Sequence, residues 1–165
     1  MKATIPPRRF YARPTVEVAR GLLGCVLEYN GRGGRIVEVE AYLPDGDEAA
    51  HAWRGRTART EVLYGEPGHA YVFLNYGIHH CLNVVAEPEG IPGCVLIRGV
   101  EGLGDGPGKL TRAAGITLAE NGCDLTRGPI VIRRGKPPAG VETSTRIGIT
   151  RSADLVLRFV AKDAE

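Results

Sequence analysis

Residues 35–51 read RIVEVEAYLPDGDEAAH, and the alternation of the first eight constrains the chain more than any other stretch. Val37, Val39 and Ala41 fall on one face of a predicted strand, and Ile36, Glu38, Glu40 and Tyr42 on the other. A face given to two carboxylates and a tyrosine is either solvated or lines a cleft. On that face Glu40 and Tyr42 stand ~7 Å apart, at roughly 3.3 Å of rise per residue. The spacing suits a carboxylate working beside a ring that stacks on a flat ligand.

A chain of 165 residues with 43% apolar and 24% charged residues is long enough to bury one sizeable core, and it is globular rather than disordered. We therefore read 1–165 as one domain. No apolar run approaches the ~18 residues of a membrane span, and there is no signal-peptide core at the N-terminus. Cys25, Cys81, Cys94 and Cys123 are scattered without CxxC spacing, which reads as reduced thiols of an intracellular protein, cytoplasmic or nucleoid-bound if bacterial.

Charge is uneven. Residues 1–35 carry seven Lys/Arg against two acids, 36–105 four against eleven, and 106–165 ten against six. An acidic middle between basic ends can fold into a carboxylate-bearing cleft inside a cationic rim, as a phosphate-rich partner requires.

Along the chain the pattern is mixed α/β (α+β) with short elements. Pro14-Thr15 offers a helix start, and the apolar stripe Val18, Ala19, Leu22 and Leu23 ends at Gly24. Cys25–Tyr29 reads as a strand, NGRGG as a hairpin turn, and Arg35–Tyr42 as the returning strand. The glycines of that turn lack the GxxxxGK[ST] spacing of a phosphate loop. Asp45, Asp47 and Glu48 are placed to cap a helical turn carrying His51. Arg54, Arg56, Thr57 and Arg59 follow in a loop able to grip phosphates, or simply to be solvated.

The second informative stretch is PGHAYVFLNYGIHHCLNVV, residues 67–85, a predicted hairpin turning at Asn75-Tyr76-Gly77. An aromatic at the tip of a narrow ribbon has the shape of a wedge. Tyr71 and Phe73 share one face, as a stacking wall or as core. His79 and His80 are strand neighbours pointing to opposite faces and cannot ligate one ion, so no metal or other cofactor is expected. Gly93–Val100 reads as a buried strand in which Arg98 needs an anionic partner. Lys109–Ala114 reads as a short helix with Lys109 at its anion-favouring end. Residues 127–138 and 144–160 read as two or three strands with basic connections.

The segments ARGLLGCVL, RIVEVEAYLPDGDEAAHAWRGRTART, YGEPGHAYVFLNYGIHHCLNVV, GCVLIRGVEG, GPGKLTRAAGI and STRIGI occur in an order, from about residue 19 to 149, that resembles the alkyladenine (3-methyladenine) DNA glycosylase family. The resemblance implies a compact domain on a curved, mainly antiparallel sheet with a protruding hairpin. It implies Glu40 as general base and Arg98 as its partner in holding the attacking water. Tyr42, His51 and Phe73, with Tyr71 beside them, would hold an extruded base. Asn83 would crowd the exocyclic amine of guanine, and Tyr76 would enter the minor groove. Read from the residues themselves, Arg54, Arg56, Thr57 and Lys109 would contact phosphates. The expected partner is double-stranded DNA carrying damaged purines, met by a monomer. Phe73 stands where mammalian relatives have tyrosine, the connection at 99–108 is short, and the match fades beyond Ile149.

Three rival classes stand beside this reading. A sugar hydrolase using Glu38 and Glu40 is disfavoured, since residues two apart on one strand cannot bracket a scissile bond. A non-catalytic damaged-DNA-binding module of the same fold has no need of Glu40. A glycosylase-lyase needs an amine nucleophile, and Lys109 is the only lysine in the matching segments.

Overall fold

The computed structural model describes residues 3–163. Its elements in order are α1 (Arg8–Tyr11), α2 (Thr15–Leu22), β1 (Val26–Tyr29), β2 (Arg32–Tyr42), β3 (Ala70–Asn75), β4 (His79–Ala86), β5 (Gly93–Val100), α3 (Pro107–Ala114), β6 (Val131–Arg133), β7 (Gly140–Ser144) and β8 (Arg158–Lys162), with 3-10 turns at His51–Arg54, Glu61–Tyr64 and Leu118–Glu120. The eight strands form one curled antiparallel sheet in the order β3-β4-β5-β2-β1-β6, with β8 on β2 and β7 on β8.

β2 organises the sheet because its eleven residues serve three neighbours. Arg32–Arg35 pair with β1, Ile36–Tyr42 with β5, and Glu38–Glu40 with β8. The β1–β2 turn is Asn30-Gly31 alone, both at positive φ, as a two-residue hairpin demands. Gly33 and Gly34 belong to the strand, where a Cβ at either would come within 1.9 Å of a carbonyl oxygen of Leu27 or Glu101. These glycines serve close backbone approach and not the turn.

Period-two alternation separates core from site across four strands. Ala70 and Val72 of β3, Leu82 and Val84 of β4, Val95 and Ile97 of β5, and Val39 and Ala41 of β2 enter the main core with α2 and α3 residues such as Val18, Leu22 and Leu110. Their neighbours Tyr71, Phe73, Cys81, Asn83, Cys94, Leu96, Arg98 and Tyr42 line a cavity on the other face.

The strict alternation expected through β2 is broken. Ile36 is buried in the main core with Val39 and Ala41, and not on the glutamate face. Register shifts on either side of Glu38 leave Val37 of β2 and Arg98 of β5 without partners in this ladder. Each extra residue inverts the parity of its strand, so Ile36 with Val39, and Ile97 with Val100, turn to the core although three apart.

Smaller corrections concern element ends. α3 begins at Pro107, whose fixed φ suits a first helical position, and not at Lys109. Asn75 is the last residue of β3, so the β3–β4 turn centres on Tyr76-Gly77, closed by the Ile78 N–H donating to the Asn75 carbonyl at 3.1 Å. The basic C-terminal third supplies three strands, β6 to β8.

Candidate active site

The cavity holds about 220 Å³. A site of about 150 Å³ takes benzene, and drug-sized pockets start near 300 Å³, so this one suits a single fused ring. One wall is aromatic. His51 lies 4.3 Å from Phe73 between ring centroids, and Tyr71 lies 5.5 Å from Phe73. Tyr42 enters from β2, and Ile147, Gly148 and Ile149 close another side.

Glu40 is wholly buried, which rules out a solvated glutamate face for β2. Tyr42 Oη donates to Glu40 Oε1 at 3.0 Å, and the Ile147 N–H donates to Oε2 at 2.8 Å. Arg98 Nε lies 3.7 Å from the same Oε2. A buried carboxylate is tolerated when donors and a cation compensate its desolvation. An ionised carboxylate offers about four acceptor positions, so this one keeps capacity for a further donor. Burial, and then the negative charge of Glu40, push the Tyr42 phenol well above its ordinary range, so Tyr42 stays a donor.

His51 sits at the start of a 3-10 turn with Nδ1 2.8 Å from Tyr71 Oη. Burial, followed by the charges of Arg59 and Arg54, lowers its pKa to about 4, and burial raises that of Tyr71 to about 12. Both rings are therefore uncharged near neutrality. Asn83 is buried, its Nδ2 donating to the Tyr71 carbonyl at 3.2 Å while the Cys94 thiol donates to its Oδ1 at 3.8 Å. Burial raises the Cys94 thiol to about 12 and the Cys81 thiol to about 11, which keeps both protonated. All four cysteines are free.

Two residues that sequence reasoning undervalued hold this arrangement. Asp47 does not cap the His51 turn. Its carboxylate accepts from the Leu43 and Ala49 N–H groups and takes both terminal nitrogens of Arg146, at 2.6 and 2.8 Å. Arg146 also donates to the Ala41 and Ser152 carbonyls, and its guanidinium lies 4.7 Å from the Tyr42 ring centroid. The pair ties residues 43–49 to the segment whose next residue, Ile147, donates to Glu40. Both residues stand inside quoted segments, DEAAH and STRIGI, but 99 positions separate them.

Tyr76 is 83% exposed at φ 53°, a conformation uncommon for a non-glycine residue. Its side chain also borders a second recess with Arg54, Thr57 and Arg59. Arg59 lies 5.4 Å from the Phe73 ring centroid. Arg56 is less available than expected, because its Nε donates to Glu61 Oε2 at 2.8 Å, its Nη2 pairs with the other oxygen, and it lies over Tyr64. Thr57 exchanges hydrogen bonds with Thr60. Lys109 is exposed, 3.5 Å from Asp105. Among the described residues, no group of three or more His, Cys, Asp or Glu side chains is arranged to hold a metal ion, and no helix is long and apolar enough to cross a membrane.

Fold and site together define a slot for one flat ring, with a buried carboxylate behind it and an exposed tyrosine on a ribbon at its mouth. The family model described as methylpurine-DNA glycosylase matches residues 9–105 and 101–165. A protein of Methanoculleus marisnigri named "Putative 3-methyladenine DNA glycosylase" is 46% identical, covering 94% of each chain. Relatives of the same name from Rhodopseudomonas palustris strain HaA2 and Carboxydothermus hydrogenoformans are 48% and 45% identical, covering 95% of this chain and 88% and 95% of their own. This chain belongs to the methylpurine-DNA glycosylase family. The match runs to residue 165, so the stretch beyond Ile149 is family sequence after all; its β8 pairs with β2 beside Glu40.

Proposed function

We propose that this protein is a monofunctional DNA glycosylase that turns an alkylated purine, of the 3-methyladenine type, out of duplex DNA and hydrolyses its bond to the sugar. Deaminated and etheno-bridged purines such as hypoxanthine and ethenoadenine fall within the same slot. The observation that carries the reading is Glu40, a wholly buried carboxylate behind a cavity sized for one fused ring.

A base inside a duplex cannot present its glycosidic carbon to such a group, so the nucleotide leaves the stack at a cost of a few kcal/mol. Tyr76 fills the gap it leaves, and stacking on Tyr42, His51 and Phe73, worth ~1–3 kcal/mol per base, offsets the cost. Glu40 accepts a proton from water attacking C1′, and its charge stabilises the oxocarbenium-like sugar. Tyr42, Arg98 and the Ile147 N–H hold the carboxylate in place for that step. An alkylated purine is cationic and binds uncharged aromatic faces well. A neutral His51 suits such a ring, whereas an imidazolium would repel it. Asn83, oriented by Cys94 and Tyr71, opposes guanine at the edge of the slot. Arg54, Thr57 and, less strongly, Arg56 and Lys109 meet phosphates. The protein acts as a monomer, without cofactor.

Single-turnover release of 3-methyladenine from dimethyl-sulfate-treated duplex DNA tests the reading. Glu40→Gln keeps lesion-DNA binding within a few-fold and loses roughly 10²–10⁴ in rate, the worth of a positioned general base. Near wild-type release by Glu40→Gln would overturn it, and no release by the wild type would favour a binding module. The product is an uncut abasic site, because Lys109 lies exposed beside Asp105 and does not line the cavity, so it is not placed to act as a nucleophile. A borohydride-trapped adduct that disappears in Lys109→Ala would contradict that part.

A further inference from the structure

The cavity wall has a charged layer behind it, two members of which, Glu38 and Arg158, take no part in the reaction above. Arg98 Nε stands between two carboxylates, 3.3 Å from Glu38 Oε2 and 3.7 Å from Glu40 Oε2. Arg158 lies opposite Glu40 in the β2–β8 register, yet its Nε donates to Glu38 Oε2 at 2.7 Å, and its Nη1 donates to Ser144 Oγ at 3.0 Å. One oxygen of Glu38 is thus held by arginines from the strands on both sides. The four side chains, two acids and two bases, carry no net charge.

The backbone explains how they meet. Arg98 is the extra residue of β5 at the register shift facing Glu38 and Val39. A bulge re-aims the side chain at its step, and bulges recur beside active sites for that reason. A regular ladder would keep the strict alternation that this one abandons at Glu38. The irregularity is what lets a single guanidinium face both acids.

We propose that Glu38 is a positioning residue that competes with Glu40 for Arg98, with Arg158 setting the strength of the competition. The inference rests on Glu40 being the base. Holding Arg98 on Glu38 leaves Glu40 Oε2 with the Ile147 N–H as its close donor and the guanidinium at a longer distance. Glu40 Oε2 is thereby kept out of a tight ion pair with the guanidinium. If Glu38 lost its charge, Arg98 would close on Glu40 and make it a poorer base. If Arg158 lost its charge, Glu38 would draw Arg98 away and leave Glu40 more basic.

The groups facing Glu40 are few. Glu38 and Tyr42 come from its own strand, Arg98 from β5, and Arg158 from β8. From the loop beyond β7 come the Ile147 N–H and Arg146, the latter lying over Tyr42 and paired with Asp47. Of these, Glu38 and Arg158 alone differ in sign while acting on Glu40 through the same Arg98. Opposite perturbations of one network are therefore available.

The test is the pH dependence of single-turnover 3-methyladenine release for wild type, Glu38→Gln, Arg158→Gln and Glu40→Gln. An opposite charge within ~4–6 Å moves a carboxylate by roughly 1–3 pH units, and a redistribution of Arg98 is part of that. Glu38→Gln shifts the midpoint of the acid limb down by at least about 0.5 unit and lowers the plateau rate. Arg158→Gln shifts the midpoint up by a similar amount. Loss of packing alone lowers both rates without moving the two midpoints apart. Midpoints that stay at the wild-type value, or move in the same direction, overturn the proposal while Glu40→Gln remains inactive. If Glu40→Gln itself retains the rate and the limb, the assignment of the base fails and this inference with it. Should one variant fold poorly, the midpoint of the other decides.

Discussion

Replacing Arg146 by methionine tests whether the buried pair beneath Tyr42 holds the site together. Both side chains of the Asp47–Arg146 pair are wholly shielded from solvent. Arg146→Met leaves the Asp47 carboxylate buried with two backbone N–H donors and no counter-charge, and strips the Ala41 and Ser152 carbonyls of a donor. Breaking a buried pair on one side costs about 3–5 kcal/mol. For a domain of this length each kcal/mol is worth about 2–4 °C in Tm, so the variant melts about 6–20 °C lower. Calorimetry and urea unfolding with an unchanged m-value measure the loss. The double variant Asp47→Asn/Arg146→Met removes the orphaned charge while keeping an oxygen for the Leu43 or Ala49 N–H, so it is more stable than Arg146→Met alone. Base release falls in Arg146→Met beyond any unfolding, since Ile147, the next residue, donates to Glu40. A Tm drop under about 3 °C, or a double variant no better than the single, would refute the reasoning.

Three other outcomes are expected. Tyr76→Ala lowers extrusion most for lesions that remain well paired, read by a fluorescent base analogue at the target; equal unstacking with both proteins counts against the wedge. Arg54→Ala weakens DNA binding and lowers the salt slope by about one, whereas Arg56→Ala changes the slope by less, because Glu61 already holds that guanidinium; equal slopes would mean that DNA displaces Glu61. His51 is held neutral in the fold down to about pH 4, while an unfolded histidine titrates near 6.5. The unfolded chain therefore binds the extra proton between these values, and the stability present above pH 6.5 declines towards pH 4; His51→Gln flattens that part of the urea-midpoint profile, and an unchanged profile argues against a neutral buried imidazole.

Much of the candidate site is legible in the sequence. Alternation placed Glu40 and Tyr42 on one strand face, because side chains of a strand point alternately whatever the fold around them. Hairpin chemistry placed Tyr76 at an exposed tip, and the same period set Tyr71 with Phe73. Helix α2, the β1–β2 hairpin and β5 followed from local signals of capping, turn formation and burial. The order of the matched segments pointed to the family, and the family comparison agrees. What these readings share is that the controlling interactions lie within a few residues of each other.

The remaining features depend on pairings that no local pattern encodes. Glu38 reads as an ordinary polar neighbour until β5 and β8 bring Arg98 and Arg158 to it across 60 and 120 residues. The displacement of Ile36 into the core comes from a register shift between two strands, which is a property of the pair and not of either sequence. Asp47 looked like a helix cap because caps and ion pairs use the same carboxylate, and only the folded position of Arg146 decides between them. Arg56 reads from sequence as an unengaged guanidinium, and only the folded loop brings Glu61 against it. Whether Glu40 was solvated or buried was likewise open, because burial is decided by what covers a strand: here the loop holding Ile147, more than a hundred residues away, closes over the carboxylate.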